Sequence, residues 1–237
     1  CLLDSTVLDY LNDFRNGDRI TFGRYTGATP VAGSPDDVYA VNRLREHLRS
    51  IQTQWQATTD LEPEFRHFYQ NPEGPESWSR WDMQDAPPDI LITNYSMLNI
   101  MLMRDIETGM FEETANWLNE DPRNTFNLVV DELHSYRGTP GTEVAYILRL
   151  LAMRLRLAPD SPQLRILGTS ASLDDSSQSR EFLRGFFGRS AESFEIVSDP
   201  TDRGSTHSNP SRYAKQFAAF AREVQPDQMR PEPSVED

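Results

Sequence analysis

Apolar residues follow two patterns along this chain. Short apolar runs, bounded by polar or turn-forming residues, are typical of buried strands and occur at residues 20–25, 89–93, 128–130, 164–168 and 194–197. Between them lie longer segments in which apolar residues recur every three or four positions, the period of one helix face. Strands that alternate with helices in this way predict an α/β fold with a parallel sheet.

The helical period is clearest in segments 2–15, 34–55, 98–102, 110–118, 141–155, 181–188 and 213–224. The second segment has a strong start signal: Ser34 can cap the helix, Pro35 suits its first turn, and the acids Asp36 and Asp37 face the positive end of the helix dipole. Residues 58–88 are rich in Pro, Glu and aromatic residues and have no sustained period. We expect a long irregular excursion there.

Composition limits the class of protein. The 237 residues are 37% hydrophobic and 25% charged, which is enough to bury a core. No apolar run approaches the roughly 20 residues that span a bilayer, and the first residues do not resemble a signal peptide, so we expect a cytoplasmic protein without membrane contact. The single cysteine, Cys1, allows neither an intrachain disulfide nor a cysteine-based zinc site. The net charge of −14 argues against a surface that coats nucleic acid, but it is compatible with one groove that grips the backbone through amides and hydroxyls.

Two adjacent carboxylates, Asp131 and Glu132, follow the apolar run 128–130, and His134 comes shortly after them. Ligands of open α/β sheets bind outside the carboxyl ends of the strands, so acids at this position are candidates for metal and water chemistry. The pair could instead open a solvated loop, and His134 could be a turn histidine satisfied by a backbone carbonyl. A metal-dependent hydrolase built on these three residues is a third reading, although the other histidines form no recognisable ligand set with them.

The sequence Asp131-Glu132-Leu133-His134 resembles motif II, the Walker B box, of superfamily 2 helicases of the DEAD/DEAH class. The residues that follow, 135–141, are similar to the subgroup that contains the bacterial mitomycin-repair helicases. Further stretches resemble the same family in the correct order, at residues 23–30, 89–98, 169–172 and 182–188. A four-residue box alone is a weak signal, but the ordered set covers most of residues 20–200. The resemblance implies a RecA-like parallel sheet flanked by helices.

The resemblance also implies roles in an ATP-driven motor. Asp131 would orient Mg²⁺ through its water shell, and Glu132 would polarise the attacking water as general base. His134 would couple the nucleotide site to motif III or to a second RecA-like domain. Motif III, which relays the nucleotide state to the nucleic-acid groove, would consist of Ser170, Ala171 and Ser172. Its last residue replaces the usual Thr, which keeps the hydroxyl and loses a methyl group.

Loops at other strand ends would contact a nucleic-acid backbone, with DNA favoured over RNA. Gly27 would permit close approach and Thr29 could donate its hydroxyl to a phosphate. Thr93 and Asn94 would hold a second phosphate together with amides of the next helix. Alternatively, Gly27 and Thr29 form an ordinary turn, and Thr93 and Asn94 cap a helix.

Near the end of segment 58–88, Trp81 with its neighbour Arg80 could stack on a base, or Trp81 could anchor the segment in the core.

No Gly-x-x-x-x-Gly-Lys-Ser/Thr phosphate loop occurs, and the one lysine is Lys215. In the family this loop lies upstream, and an arginine-bearing motif lies in the second RecA-like domain. We therefore expect residues 1–200 to be an incomplete RecA-like domain without its first strand and phosphate loop, interrupted by a helical and loop insertion at 31–88. Residues 201–237 would be a linker or tail with one helix.

Such a fragment would come from an ATP-dependent helicase or translocase serving DNA repair or defence against foreign DNA. It would be inactive alone, because both ATP and Mg²⁺ need the missing phosphate loop. The alternative is a non-catalytic helicase-like module that has lost its phosphate loop and acts in nucleic-acid binding or as a scaffold.

Overall fold

The computed structural model describes residues 5–61, 63–66 and 68–197. The chain divides into two units, Cys1–Phe194 and Glu195–Asp237, and only residues 195–197 of the second are described. The predicted helix at 213–224 and the tail after it therefore lie outside the described residues. The α-helices in the described part are α1 (Ser5–Arg15), α2 (Val38–Ala57), α3 (Pro63–Arg66), α4 (Arg80–Asp85), α5 (Tyr95–Met103), α6 (Thr108–Glu120), α7 (Thr139–Arg154) and α8 (Ser177–Phe187).

Every strand pair in the described part is parallel. The strands are β1 (Phe22–Tyr25), β2 (Glu76–Ser77), β3 (Ile90–Thr93), β4 (Phe126–Val130) and β5 (Leu164–Gly168). They form two sheets with the orders β2-β1-β3 and β4-β5. Helices provide the crossovers that parallel strands require. This confirms an α/β fold of parallel sheets flanked by helices, and it is compatible with a partial RecA-like fold.

One face of both sheets carries the hydrophobic core. Alternate strand residues point to this face, and they pack against the apolar stripes of α5, α6 and α7. Tyr25 of β1 and Met83 of α4 are fully buried in this core. A side chain at Gly23 would collide with Met83, because a Cβ atom there would lie 2.3 Å from its sulfur. The apolar residues of the strands therefore form one core with the helices that cover this face of the sheets.

The opposite face of the sheets carries apolar residues that the described part of the chain does not cover. Ile90 and Ile92 of β3 are 46% and 48% exposed, and Val129 of β4 and Leu167 of β5 are 64% and 53% exposed. Parallel sheets normally have both faces covered.

No helix among the described residues is long and apolar enough to cross a membrane.

The structure corrects three expectations about local elements. Helix α2 begins at Val38 with Asp37 as its cap, and the Asp37 carboxylate accepts from the amide of Tyr39, whereas Ser34 stabilises the preceding turn. Residues 58–88 contain α3, β2 and α4, and β2 pairs with β1, so this segment returns to the sheet. Residues 194–197 form no strand. The start of α2 is decided by these local capping bonds, whereas in segment 58–88 the pairing of β2 with β1 outweighs the low periodicity.

A buried polar network joins β1 to the start of α6. Glu107 is fully buried and accepts hydrogen bonds from the hydroxyl of Tyr25 (2.6 Å) and from the guanidinium of Arg104. The amide of Gln84 donates to the same Tyr25 hydroxyl at 2.6 Å. Burial, together with the bond to Glu107, raises the pKa of Tyr25 to about 12. The network fixes the end of β1, from which the loop at residues 26–30 departs.

Loss of this buried carboxylate should destabilise the fold. We expect Glu107→Ala to lower the free energy of unfolding by about 2–3 kcal/mol, because the Tyr25 hydroxyl and the Arg104 guanidinium lose their acceptor. Urea-induced unfolding measures this change. The matched control, Glu112→Ala, alters an exposed carboxylate of α6 and should stay within about 0.5 kcal/mol of wild type. Equal stability of the two variants would contradict the role of Glu107.

Candidate functional site

A strained turn directly follows β4. Glu132 adopts the left-handed conformation, with φ of 51° and ψ of 46°, although it is not glycine. Such a conformation costs on the order of 1–2 kcal/mol for an ordinary residue and persists only where surrounding contacts enforce it. A 3₁₀ turn over Leu133–Ser135 follows, and Leu133 is only 1% exposed. The buried leucine therefore anchors a turn whose acidic residues remain at the surface.

The end of β5 holds this turn in place. The amide of Thr169 donates to the carbonyl of Val130 (3.0 Å), and the amide of Leu133 donates to the carbonyl of Thr169 (2.8 Å). The amide of Glu132 donates to the hydroxyl of Thr169 at 3.1 Å. The pairing of β4 with β5 thus continues past both strands into the turn.

The two carboxylates face different partners. Asp131 accepts on Oδ1 from the Thr169 hydroxyl and, at 3.1 Å, from the amide of Glu132. Glu132 has a side chain that is 63% exposed, and its Oε2 lies 3.1 Å from Nδ1 of His134 without forming a well-aligned hydrogen bond. The predicted trio Asp131, Glu132 and His134 is therefore brought together at the carboxyl end of β4.

These residues do not form a preformed metal cage. No group of three or more His, Cys, Asp or Glu residues within the described ranges could hold a metal ion. Mg²⁺, however, keeps several waters and is commonly bound by one or two carboxylates plus substrate phosphates. Asp131 is exposed, and its hydrogen bonds within the described part of the chain engage only Oδ1. One carboxylate oxygen is thus available, which fits a water-mediated Mg²⁺ contact.

The predicted motif III lies at the end of β5, next to the carboxylates. Ser170, Ala171 and Ser172 follow directly on Thr169, and the amide of Ser172 donates to the Ser170 hydroxyl at 3.3 Å. The hydroxyl that reaches Asp131 and Glu132 belongs to Thr169, which sequence reasoning did not single out. A signal was present, because Thr169 opens a run of hydroxyl residues immediately after a buried strand.

The first predicted nucleic-acid loop is internally bonded. The Thr29 hydroxyl donates to the carbonyls of Arg24 (2.6 Å) and Thr26 (2.8 Å) and accepts from the amide of Thr26 at 2.9 Å. Thr29 is also buried, so its hydroxyl shapes the loop, as in the ordinary-turn alternative. A Cβ atom at Gly27 would meet nothing within 4 Å, which leaves open space for a ligand at that point. Phosphate contact by either residue stays a prediction.

The second predicted loop lies beside the first. Tyr25 of β1 pairs with Thr93 of β3, and the Thr93 hydroxyl donates to the Tyr25 carbonyl at 2.7 Å. Asn94 caps α5, since its side-chain oxygen accepts from the amide of Met97 at 2.8 Å. Helix capping, the alternative for Asn94, is therefore observed. It does not preclude phosphate binding, because other amides of the first turn of α5 have no intrahelical partner.

Arg80 and Trp81 are engaged within the fold. Trp81 is buried with Val31 and Ala40, which agrees with its predicted alternative as an anchor of segment 58–88. Arg80 donates to the carbonyl of Thr26 at 2.7 Å, and its guanidinium lies 5.4 Å from the Tyr25 ring centroid. Base stacking by these two side chains would require them to leave these contacts.

Aromatic rings connect the two halves of the site. Tyr95, at the start of α5, meets Tyr136 edge-on with ring centroids 6.3 Å apart. Tyr136 in turn stacks on Phe186 of α8 at 6.1 Å. The loop after β3 and the turn after β4 therefore contact one another, although the strands belong to separately paired sheets.

Two curated proteins are similar to parts of this chain, and one of them is named as an ATP-dependent helicase. The chain is 43% identical over 129 residues to Druantia protein DruE of Escherichia coli, which covers 53% of this chain and 7% of that protein. It is 33% identical over 117 residues to an uncharacterized ATP-dependent helicase, MJ1574, of Methanocaldococcus jannaschii, covering 49% of this chain and 15% of that protein. No family model and no solved structure matches. The similarity thus spans only a small part of either relative.

Two glycines determine how α7 begins behind the site. Gly138, the residue before α7, has φ of 75° and ψ of −153°, a region that is essentially open only to glycine. Gly141 packs directly on the turn, because a Cβ atom there would lie 1.9 Å from the carbonyl oxygen of Tyr136. The helix backbone and the turn therefore touch without an intervening side chain.

A methyl group at Gly141 should displace the turn. We expect Gly141→Ala to lower the free energy of unfolding by about 2 kcal/mol or more, because the clash with the Tyr136 carbonyl outweighs the better helix propensity of alanine. Thermal or urea unfolding measures the change. Gly109→Ala, in the first turn of α6, adds a methyl group to open space and should be neutral or slightly stabilising. A Gly141 variant as stable as this control would contradict the close contact.

Proposed function

We propose that this chain is part of an ATP-dependent nucleic-acid helicase or translocase. It would contribute the Mg²⁺ and water-activating residues of motif II, the relay of motif III, and loops that contact the nucleic-acid backbone. The track would be DNA rather than RNA, and the parent protein would serve DNA repair or defence against foreign DNA. A phosphate loop and a second RecA-like domain, supplied by other parts of the parent chain, would complete the motor.

One observation carries the proposal. Asp131 and Glu132 lie at the carboxyl end of a parallel strand, on a turn that is pinned to the end of the neighbouring strand. This is where ligands bind in open α/β sheets. The backbone strain at Glu132 supports a functional reading, because strained non-glycine residues cluster at functional sites. The similarity to a protein named as an ATP-dependent helicase supports the same conclusion.

The chemistry follows from the two carboxylates. When bound, Mg²⁺ would neutralise charge on the β- and γ-phosphates of ATP. Asp131 would hold waters of that ion through its available oxygen. The oxygen of the attacking water would bond to the γ-phosphorus while the bond from that phosphorus to the ADP oxygen breaks. Glu132 would accept the proton that this water loses. His134 lies against the Glu132 carboxylate and would couple the nucleotide site to motif III or to the second RecA-like domain.

The nucleic-acid side would use the adjacent strand ends. The loop at residues 26–30 and the start of α5 lie next to one another, joined by the bond from Thr93 to the Tyr25 carbonyl. Backbone amides at Gly27 and in the first turn of α5 would contact phosphates without a concentration of lysines, which suits the acidic composition. The contact between Tyr95 and Tyr136 would let this surface sense the motif II turn.

The role of Glu132 can be tested in the full-length protein. We expect Glu132→Gln to abolish nucleic-acid-stimulated ATP hydrolysis, with a loss of at least about 100-fold, because the amide cannot accept the proton. Binding of ATP, followed with a fluorescent analogue, should persist. Stimulated turnover that survives this change would refute the role of Glu132. A wild-type protein that binds nucleic acid but never hydrolyses ATP would favour the scaffold alternative.

The 237-residue chain should not hydrolyse ATP by itself. Its sequence contains no lysine-bearing phosphate loop to hold the β- and γ-phosphates against motif II. Phosphate release by the purified chain, measured with Mg²⁺ and single-stranded DNA, should stay at background and equal that of its Glu132→Gln variant. Mg²⁺-dependent turnover that this variant lacks would contradict the expectation.

A further inference from the structure

Thr169 is the point at which the two parallel strands and the acidic turn meet. It follows β5 directly and makes four hydrogen bonds to the segment from Val130 to Leu133. Two of them use its backbone, which donates to Val130 and accepts from Leu133. The other two use its hydroxyl, which donates to Oδ1 of Asp131 and accepts from the amide of Glu132 at 3.1 Å. The backbone and the hydroxyl of Thr169 thus both bond to the segment that carries motif II.

The two kinds of bond have different consequences. The backbone bonds extend the ladder between β4 and β5, and any residue except proline could make them at this position. The hydroxyl bonds need an oxygen that donates and accepts at the same time, which Ser and Thr provide. Through them the orientation of the Asp131 carboxylate is tied to the backbone of Glu132. The hydroxyl occupies Oδ1 and leaves the other oxygen of the carboxylate available.

The hydroxyl also compensates for the strained turn. The amide of the left-handed Glu132 donates to the Thr169 hydroxyl and to the Asp131 side chain, and not to a described backbone carbonyl of the strand ladder. Without the hydroxyl, this amide would retain only the carboxylate of its neighbour as acceptor. Strained turns of this kind persist where surrounding groups over-determine them. Thr169 is one such group, and it directly follows a different strand, β5.

We propose that Thr169 is a positioning residue of the nucleotide site, which sets the orientation of the Asp131 carboxylate toward Mg²⁺ and the backbone conformation that presents Glu132. This role rests on the proposed ATP-driven function and adds a residue outside the predicted motif III serines. In the described part of the chain neither Ser170 nor Ser172 bonds to Asp131 or Glu132, and the Ser170 hydroxyl accepts from the amide of Ser172 within their own loop. Thr169 does not touch the reacting atoms. It acts through Asp131 and Glu132.

The test compares Thr169→Val with Thr169→Ser in the full-length protein. Valine keeps the shape of threonine and both backbone bonds but lacks the hydroxyl, whereas serine keeps the hydroxyl. We expect valine to lower kcat for nucleic-acid-stimulated ATP hydrolysis by about 10- to 100-fold and to raise the Mg²⁺ concentration needed for half-maximal rate. Affinity for ATP without Mg²⁺ should be unchanged. Serine should restore both quantities to near the wild-type values.

A second readout does not depend on activity. Amide hydrogen exchange of a peptide that covers residues 130–136, measured by mass spectrometry, should be faster in Thr169→Val than in wild type and should return to wild type in Thr169→Ser. Thr53→Val is the matched control, because the hydroxyl of that exposed residue bonds only to the Arg49 carbonyl of its own helix. The control should change neither readout. If the valine variant does not fold, Thr169→Ala replaces it in the same comparison.

The outcomes separate this role from the proposed function. If Glu132→Gln abolishes turnover while Thr169→Val keeps the wild-type Mg²⁺ dependence and exchange, the positioning role is refuted and the proposed function stands. Equal impairment of the valine and serine variants would also refute it, since the hydroxyl would then be irrelevant. A wild-type protein without stimulated turnover would overturn the proposed function and this role together.

Discussion

The parallel pairing of β4 with β5 is the constraint on which the candidate site depends. Its register places Val130 opposite Gly168, so the residues that follow the two strands leave the sheet side by side. Leu133 then returns to the core, and a side chain at Gly168 would press against it, because a Cβ atom there would lie 3.2 Å from the leucine. The acidic residues are held outside while the leucine is held inside. A shift of the β4–β5 register by one residue would move the core-facing side chains of the shifted strand to the opposite face of the sheet.

A second constraint acts on the other sheet. The buried Glu107 network fixes the end of β1, and the bond from Thr93 to the Tyr25 carbonyl carries that position across to β3. Two short strands with one exposed face would otherwise be weakly held. Because Tyr95 contacts Tyr136, the segments that follow β3 and β4 touch although the strands pair in separate sheets. The residues proposed for nucleotide chemistry and for backbone binding therefore lie on segments that contact one another.

Periodicity was sufficient to predict the strands β1, β3, β4 and β5 and most of the helices, because burial on one face leaves a direct trace in the order of apolar residues. It was not sufficient for β2 or for α4, since these short elements depend on contacts with β1 and with Val31. The position of Asp131 and Glu132 at a strand end was also predictable. The partners of the Thr169 hydroxyl were not, because they lie 37 and 38 positions away in sequence. The inward bonds of Thr29 likewise depend on loop closure that no spacing reveals.

The left-handed backbone of Glu132 has a consequence for how this position can vary. Glycine or asparagine would adopt the conformation at lower cost, and neither would supply a carboxylate on a long side chain. Selection for thermodynamic stability alone would therefore move the position away from glutamate. With glutamate at this position the turn is less stable, but the chain gains a long, charged side chain. Among related sequences, glutamate at this position would therefore mark the members selected for catalysis, and glycine or asparagine would mark the members selected only for a stable fold.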